Sequence, residues 1–354
     1  MPLIDKSYCK DTLFIKWSIE PEHDNLRLDQ FLGLYFKSQS REDIKKKIYR
    51  NECNIINRQN SKKPSTKIKT NDIISIKMTR GNHEDEYWKG IKVKFQDPSE
   101  IFEDGNMIVC NKPPYMSTHP TGRHLFHCGT TYYEQKNNIK TAHSIHRLDR
   151  ETSGILLIAK NPKTAKKLTV EFEKNNVKKC YFFIAKKASR KINRSFKAKQ
   201  RMDNPEKGLK KVIVKHYPEG DQQGKHAETD FEILHDNENY CFGLAFPNTG
   251  RTHQIRVHAK ANNIPLVGDK LYLGGYEMFQ RFKDAKASND DHNKMLLSRH
   301  ALHAIGLQIK YEGEKKLFIA DIPKDMREFI DSFFHIEVNK TEKLIRDKIN
   351  TYLN

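Results

Sequence analysis

Apolar residues at Leu28, Phe31, Leu32, Tyr35 and Phe36 recur at helical spacing and predict an amphipathic helix over residues 28–36. Ser40 is suited to N-cap a second helix, Arg41 to Tyr49, which carries Lys45, Lys46 and Lys47. An extended run from Cys53 to Asn57, a polar turn through Ser61 to Pro64 and a strand over Ile73 to Met78 complete a small two-helix plus hairpin unit. Residues 79–98, punctuated by Gly81, Trp88, Gly90 and Pro98, read as a linker.

Beyond it, strand-like runs recur at 107–111, 155–160, 181–185, 227–234, 240–246, 302–311 and 316–322, with helical stretches at 162–174 and 252–262. Their spacing is irregular and several strands follow one another directly. That predicts an α+β fold with a mixed, largely antiparallel sheet, not a doubly wound parallel one. Residues 324–354 read as two short helices that serve packing. The expected division is a 1–25 extension, a 26–80 module, an 81–98 linker, a 99–326 catalytic domain and a 327–354 helical extension. Lys186 to Lys215, with twelve basic and two acidic residues, and the polar stretch Gly274 to Lys294 read as insertions or mobile loops. The first could grip phosphates or be a solvated basic hairpin.

Charge narrows the partner. Sixty-four Lys and Arg against 45 Asp and Glu give a formal net charge of +19, which favours a polyanion, although a lysine-rich solvated surface explains it as well. No apolar run approaches the ~20 residues needed to cross a bilayer. Charges scattered through residues 1–17 do not fit a signal peptide. The six cysteines are isolated, with no C-x-x-C pair, so neither a zinc site nor a disulfide framework is expected, and a cytoplasmic setting fits. His124, His127 and Cys128, and His143 with His146, lack metal-ligand spacing, and no metal is expected. Phosphate loops and dinucleotide fingerprints are absent from the sequence.

Two strings carry chemistry. In His146-Arg147-Leu148-Asp149-Arg150-Glu151-Thr152-Ser153-Gly154, a carboxylate flanked by arginines sits on a polar loop that feeds an apolar strand. Neighbouring cations keep such a carboxylate ionised, as a nucleophile or base requires. Chemistry alone leaves a surface loop with local ion pairs as the commoner reading. In Asn248-Thr249-Gly250-Arg251-Thr252-His253-Gln254-Ile255-Arg256-Val257-His258, a helix opens with Thr249 or Thr252 near its N-terminus, where free N–H groups suit an anion.

The first string, running into Leu-Leu-Ile-Ala-Lys, resembles the signature of the RluA-type pseudouridine synthases. Other blocks agree in chain order: residues 101–114, His119-Pro120, Lys179-Cys180-Tyr181, the second string, Pro265 to Tyr272 and Arg299 to Ala304. The resemblance spans residues 101–326 and implies the pseudouridine synthase fold. It implies Asp149 as the catalytic carboxylate, Arg256 as its ion-pair partner and Tyr181 as the ring that stacks on the uracil. Arg147 would enter the space left by an everted nucleotide, a step that chemistry on a stacked base requires. Arg251 and His253 would join the RNA contacts. Residues 26–80 are similar to a small-subunit ribosomal-protein RNA-binding module, with Arg27, Arg41, Lys45 and Lys46 on the phosphates. Two departures stand out: Asn51 replaces the usual Gly before the module's first strand, and Lys186-Lys187 follow Lys-x-Tyr where the family has a Gly.

The implied reaction breaks the N-glycosidic bond of uridine, turns the base and joins C5 to the ribose, with no cofactor. Whether Asp149 acts as nucleophile or base stays open. Large-subunit ribosomal RNA is the expected substrate, transfer RNA is the other, and no obligate protein partner or membrane is implied. The competing classes are a non-catalytic RNA-binding or ribosome-assembly protein on a synthase scaffold, and a glycosidase, which would need a second carboxylate to activate water.

Overall fold

The computed structural model describes residues 3–9, 11–36, 40–58, 63–81, 84–121, 124–206 and 208–353. The chain forms two compact units: residues 1–84 with 119–141, and residues 85–118 with 142–354.

The first unit holds β1 (Leu3–Cys9), β2 (Thr12–Ser18), α1 (Leu28–Tyr35), α2 (Arg41–Tyr49), β3 (Cys53–Ile55) and β4 (Ile73–Thr79), with α3 (Gly129–Lys136) from its second segment. Its sheet is antiparallel in the order β1-β2-β4-β3. Leu28, Phe31 and Leu32 of α1 and Ile44 and Ile48 of α2 pack on Ile74 and Ile76 of β4. The helix spacing thus reads as expected, and Ser40 Oγ accepts the Asp43 N–H at 3.1 Å as the cap. Asn51 takes the left-handed backbone (φ 57°) that the missing Gly required.

Two boundaries differ from expectation. Residues 1–25, read as an extension, supply half of this sheet; scattered charges had hidden the alternation of β2, whose Leu13 is buried. Residues 119–141, read as catalytic domain, cluster with this unit, where Lys6 pairs with Glu134 and Glu84 accepts the N–H groups of Leu125, Phe126 and His127. Part of the expected turn at 61–64 lies outside the described residues.

The second unit comprises β5 (Tyr87–Trp88), β6 (Ile91–Lys92), β7 (Ser99–Glu103), β8 (Met107–Lys112), β9 (His143–Ser144), β10 (Ser153–Ala159), α4 (Pro162–Glu173), β11 (Lys178–Lys186) and β12 (Ser195–Ala198). It continues through β13 (Arg201–Asp203), β14 (Lys215–Tyr217), β15 (Thr229–Asp236), β16 (Tyr240–Pro247), α5 (Gln254–Ala261), α6 (Tyr276–Lys283) and α7 (Asn289–Met295). β17 (Leu302–Tyr311), β18 (Glu314–Ile319), α8 (Lys324–Phe334) and α9 (Val338–Leu353) close it. The main sheet runs β12-β15-β16-β11-β17-β10-β8-β7, with β18 on β17 and β9 on β10. Every pairing in it is antiparallel except β10 with β17. The expected α+β, largely antiparallel architecture is the one observed.

Alternation along β11 decides which face becomes the site. Cys180, Phe182 and Ile184 pack with α8 and α9, whereas Tyr181, Phe183 and Ala185 lie with Ile255 and Ala259 of α5. Tyr181 and Arg256 therefore belong to the same side of the sheet. On the opposite side, Met326, Phe329, Ile330, Phe334, Ile345, Ile349 and Leu353 are buried, roughly 1.5–3 kcal/mol each against exposure. The terminal helices are thus part of this unit's core.

The stretch 274–294, expected as a polar loop, folds into α6 and α7. A Ser288–Asp291 capping box opens α7, and Arg281 grips Asp291 bidentately at 2.8 and 2.6 Å. Trp88, in the expected linker, stacks on Phe282 with centroids 5.9 Å apart and meets the His292 ring edge-on at 4.5 Å. Sequence alone lacked this apolar partner, without which the stretch reads as solvated.

Candidate active site

The loop between β9 and β10 is fixed residue by residue. His146 accepts the Leu157 N–H at 3.1 Å and stacks on Phe172 at 4.9 Å; burial, then Lys179, pushes its pKa down to about 3, so it stays neutral. Leu148 is buried, and its backbone exchanges hydrogen bonds with the Thr118 hydroxyl at 3.1 and 3.2 Å. The ammonium of buried Lys112 donates to the carbonyls of Pro113, Met116 and Arg150 at 3.1, 2.8 and 3.3 Å. Arg150 pairs with Glu86, and Glu151 is held by Lys270 and His300. Thr152 meets His300 at 2.7 Å and Ser153 meets His303 at 2.9 Å. At Gly154 (φ 112°) a Cβ would run into the Ala304 carbonyl, so only glycine lets β10 start against β17. The anchors leave two side chains of this loop toward solvent: Arg147, exposed and with no hydrogen bond or ion pair among the described residues, and Asp149, 26% exposed.

Asp149 faces α5. Its Oδ2 accepts from Arg256 Nη1 at 2.9 Å. The other side of the Arg256 guanidinium donates bidentately to Asp269, Nε at 2.7 Å and Nη2 at 3.0 Å. Asp269 is fully buried and also accepts the N–H groups of Leu271 and Tyr272 at 3.1 and 3.0 Å. One arginine therefore bridges a fully buried carboxylate and a partly exposed one, with the fixed fork that lysine lacks. The Tyr272 ring lies 5.0 Å from Arg256 Cζ. Its hydroxyl accepts the Val214 N–H at 3.2 Å and lies 2.8 Å from His253 Nδ1, while His253 Nε2 is 3.8 Å from Asp149 Oδ2.

Burial opposes ionisation of Asp149, but the charges and the Arg256 hydrogen bond outweigh it and hold the carboxyl well below the usual carboxylate range. Burial and Arg256 push His253 down to about 4, so near neutrality the cation that matters is Arg256. Burial, and next the Asp149 charge, raises the Tyr181 phenol, which stays protonated beside the carboxylate.

Thr252 lies next to the start of α5, as expected, and the cap position is His253, in left-handed backbone (φ 56°) and with no side-chain cap bond. Gln254 closes the turn instead: its Oε1 accepts from the Thr249 hydroxyl at 2.7 Å and the Arg251 N–H at 2.9 Å. Arg251 is exposed and bonds the His226 carbonyl at 3.0 Å. The 186–215 segment is not the loop of unmatched cations its composition suggests. Strands β12 and β13 run through it, and Lys187, Arg194, Lys197 and Lys215 pair with Asp236, Asp236, Asp230 and Glu206. In the first unit Arg41, Lys45 and Lys46 are exposed on α2, whereas Arg27 is clamped on buried Asp29 by two bonds of 3.0 Å. Sequence reasoning gave no role to Asp269, Tyr272 or His300. The available signal was an aspartate directly after the apolar Pro265–Gly268 run, which burial forces to find a cation.

Residues 106–261 match the model of the RNA pseudouridylate synthase family. A ribosomal large subunit pseudouridine synthase D of Buchnera aphidicola subsp. Baizongia pistaciae is 30% identical over 314 residues, 86% of this chain and 92% of that one. Its Yersinia pestis counterpart is 28% identical over 86% and 90% of the two chains. An uncharacterised RNA pseudouridine synthase of Zymomonas mobilis reaches 36% over 51% and 71%. In fold, the chain resembles Human RNA Pseudouridylate Synthase Domain Containing 4, with TM-score 0.51, 18% identity and 66% and 91% of the two chains covered. Likeness that extends along nearly the whole of a 30% identical relative, over the segment that carries Asp149 and Arg256, makes this chain a member of the RNA pseudouridylate synthase family, an enzyme that converts uridine to pseudouridine.

Proposed function

We propose that this enzyme acts on large-subunit ribosomal RNA in the cytoplasm and that Asp149 is its catalytic carboxylate. The observation that carries the second part is the 2.9 Å Asp149–Arg256 contact on a side chain that is neither closed into packing nor free in solvent. Such a carboxylate is ionised, oriented and reachable. It would attack or deprotonate the ribose as the C1′–N1 bond breaks. The uracil then turns, C5 bonds to C1′, and the proton on C5 leaves. The Tyr181 ring would hold the base in plane, Arg256 would orient Asp149, and uncommitted Arg147 would fill the stack where the nucleotide left. Arg251 and His253 would join the RNA contacts. Arg41, Lys45 and Lys46 would meet phosphates, with Arg27 contributing less because Asp29 already engages it. The rRNA assignment is supported by the names of the full-length relatives and by the +19 charge.

The test is Asp149→Asn assayed on a large-subunit ribosomal RNA transcript labelled with 5-tritiated uridine. The variant should retain the RNA on a filter and release no tritium. Release at the wild-type rate rejects Asp149. Release by the wild type from transfer RNA alone moves the substrate.

A further inference from the structure

Tyr272 has a second side. Besides flanking Arg256 it lines a separate recess of about 290 Å³, together with Tyr276 at the start of α6, Val257 and Lys260 of α5, and Lys215 and His216 of β14. That volume lies at the low end of small-molecule sites, ~300–1,000 Å³, and suits one nucleotide. No carboxylate lines it among the described residues. Lys260 and His216 are exposed, and the Lys260 ammonium makes no hydrogen bond or ion pair among the described residues. Lys210 Nζ stands 5.7 Å from the centre of the Tyr276 ring. Two aromatic rings, an apolar lining and cations at the rim are the parts that hold an unstacked base and its phosphate. The recess and the carboxylate are close: the Tyr272 hydroxyl is 2.8 Å from His253 Nδ1, and His253 Nε2 is 3.8 Å from Asp149 Oδ2.

We propose that this recess binds a second nucleotide of the RNA substrate, near the everted uridine in the strand, with its base on Tyr276 and its phosphate on Lys260. The proposal rests on the reading that Asp149 serves an everted uridine in RNA. Capture of a second nucleotide holds the strand splayed open on both sides of the Tyr272–His253 pair. That stabilises the bound RNA and leaves the bond-breaking step to Asp149.

Tyr276→Ala and Lys260→Glu test it, with Lys315→Glu, an exposed position on β18, as the control for charge alone. On the tritiated large-subunit transcript, Tyr276→Ala should raise KM about tenfold, the scale of one lost base-on-aromatic stack, with kcat within about twofold of wild type. Lys260→Glu should raise KM well beyond Lys315→Glu. Equal KM for the two charge reversals together with wild-type KM for Tyr276→Ala overturns the proposal, as does a fall in kcat at unchanged KM. Lys260 is on the surface, so its variant decides the matter if Tyr276→Ala fails to fold. If the wild type releases no tritium, filter retention of the same transcript by the four proteins still decides: equal retention removes the recess, while the missing release counts against the reaction.

Discussion

Replacing Asp269 by Asn substitutes an amide nitrogen for one carboxylate oxygen and separates the two partners of Arg256. The amide keeps one oxygen for the Leu271 and Tyr272 N–H groups, but its nitrogen then faces Arg256, donor against donor. The guanidinium is buried and loses its bidentate counter-ion. Breaking a buried pair from one side costs roughly 3–5 kcal/mol. At about 2–4 °C per kcal/mol for a unit of this size, Tm should fall by roughly 6–20 °C. Arg256 would also lose its fixed pose beside Asp149, and a displacement of about 1 Å at a catalytic contact costs on the order of 10²-fold in rate. Asp149→Asn should behave oppositely. That carboxylate is 26% exposed, and Arg256 keeps Asp269, so the stability change should be near the ~0–1 kcal/mol of partly solvated pairs while activity disappears. The assay is differential scanning calorimetry beside tritium release from 5-tritiated RNA at a temperature where both variants are folded. Equal Tm shifts in the two variants, or an Asp269→Asn enzyme with wild-type kcat, would refute the view that Asp269 sets the arginine and Asp149 does the chemistry.

Gly154→Ala should leave little folded protein, because the added methyl meets the Ala304 backbone at a φ of 112°; recovery of wild-type soluble yield and Tm would contradict this. Stability should also fall on mild acidification. Folded His253 and His303 titrate at about 4 and about 3 against ~6.5 when unfolded, so the unfolded chain binds more protons below pH 6.5. Their stabilising effect is complete above that pH and declines toward the folded values, by up to about 2 kcal/mol for each by pH 5. Urea midpoints at pH 7.5 and 5.0 measure it, and an unchanged midpoint counts against neutral burial. Charge reversal of Lys45 and Lys46 should weaken RNA binding at low salt and flatten its salt dependence by about one unit of slope per lost phosphate contact, with kcat preserved; identical salt plots would remove α2 from the RNA interface.

Local signals were enough to place many elements. The 3.6-residue period gave α1 and α4, Ser40 gave the start of α2, and continuous apolar runs gave β8, β10 and β16. The same signals misread the edges. β1 and β2 carry Lys and Asp on their open face, so their alternation looked like a charged tail, and the polar sequence of α6 and α7 looked like a loop until Trp88 supplied a partner. The basic stretch at 186–215 read as a loop of free cations because composition counts charges and is blind to Asp230 and Asp236 of β15, which pair with Lys187, Arg194 and Lys197.

The sequence by itself singled out Asp149 and Arg256, because both lie in contiguous strings that resemble a family's signature. It determined the class of fold through the order and spacing of apolar runs. What only tertiary structure decided is how those strings work together. Asp149 and Arg256 are 107 positions apart, and the loop that brings Asp149 to its 2.9 Å contact leads into β10, which Gly154 lets start against β17, while the alternation of β11 puts Tyr181 on the α5 side. The carboxylate that holds Arg256 from behind, Asp269, acquires its role from burial against that guanidinium. Burial is a property of the packed chain and is written in no single segment of it.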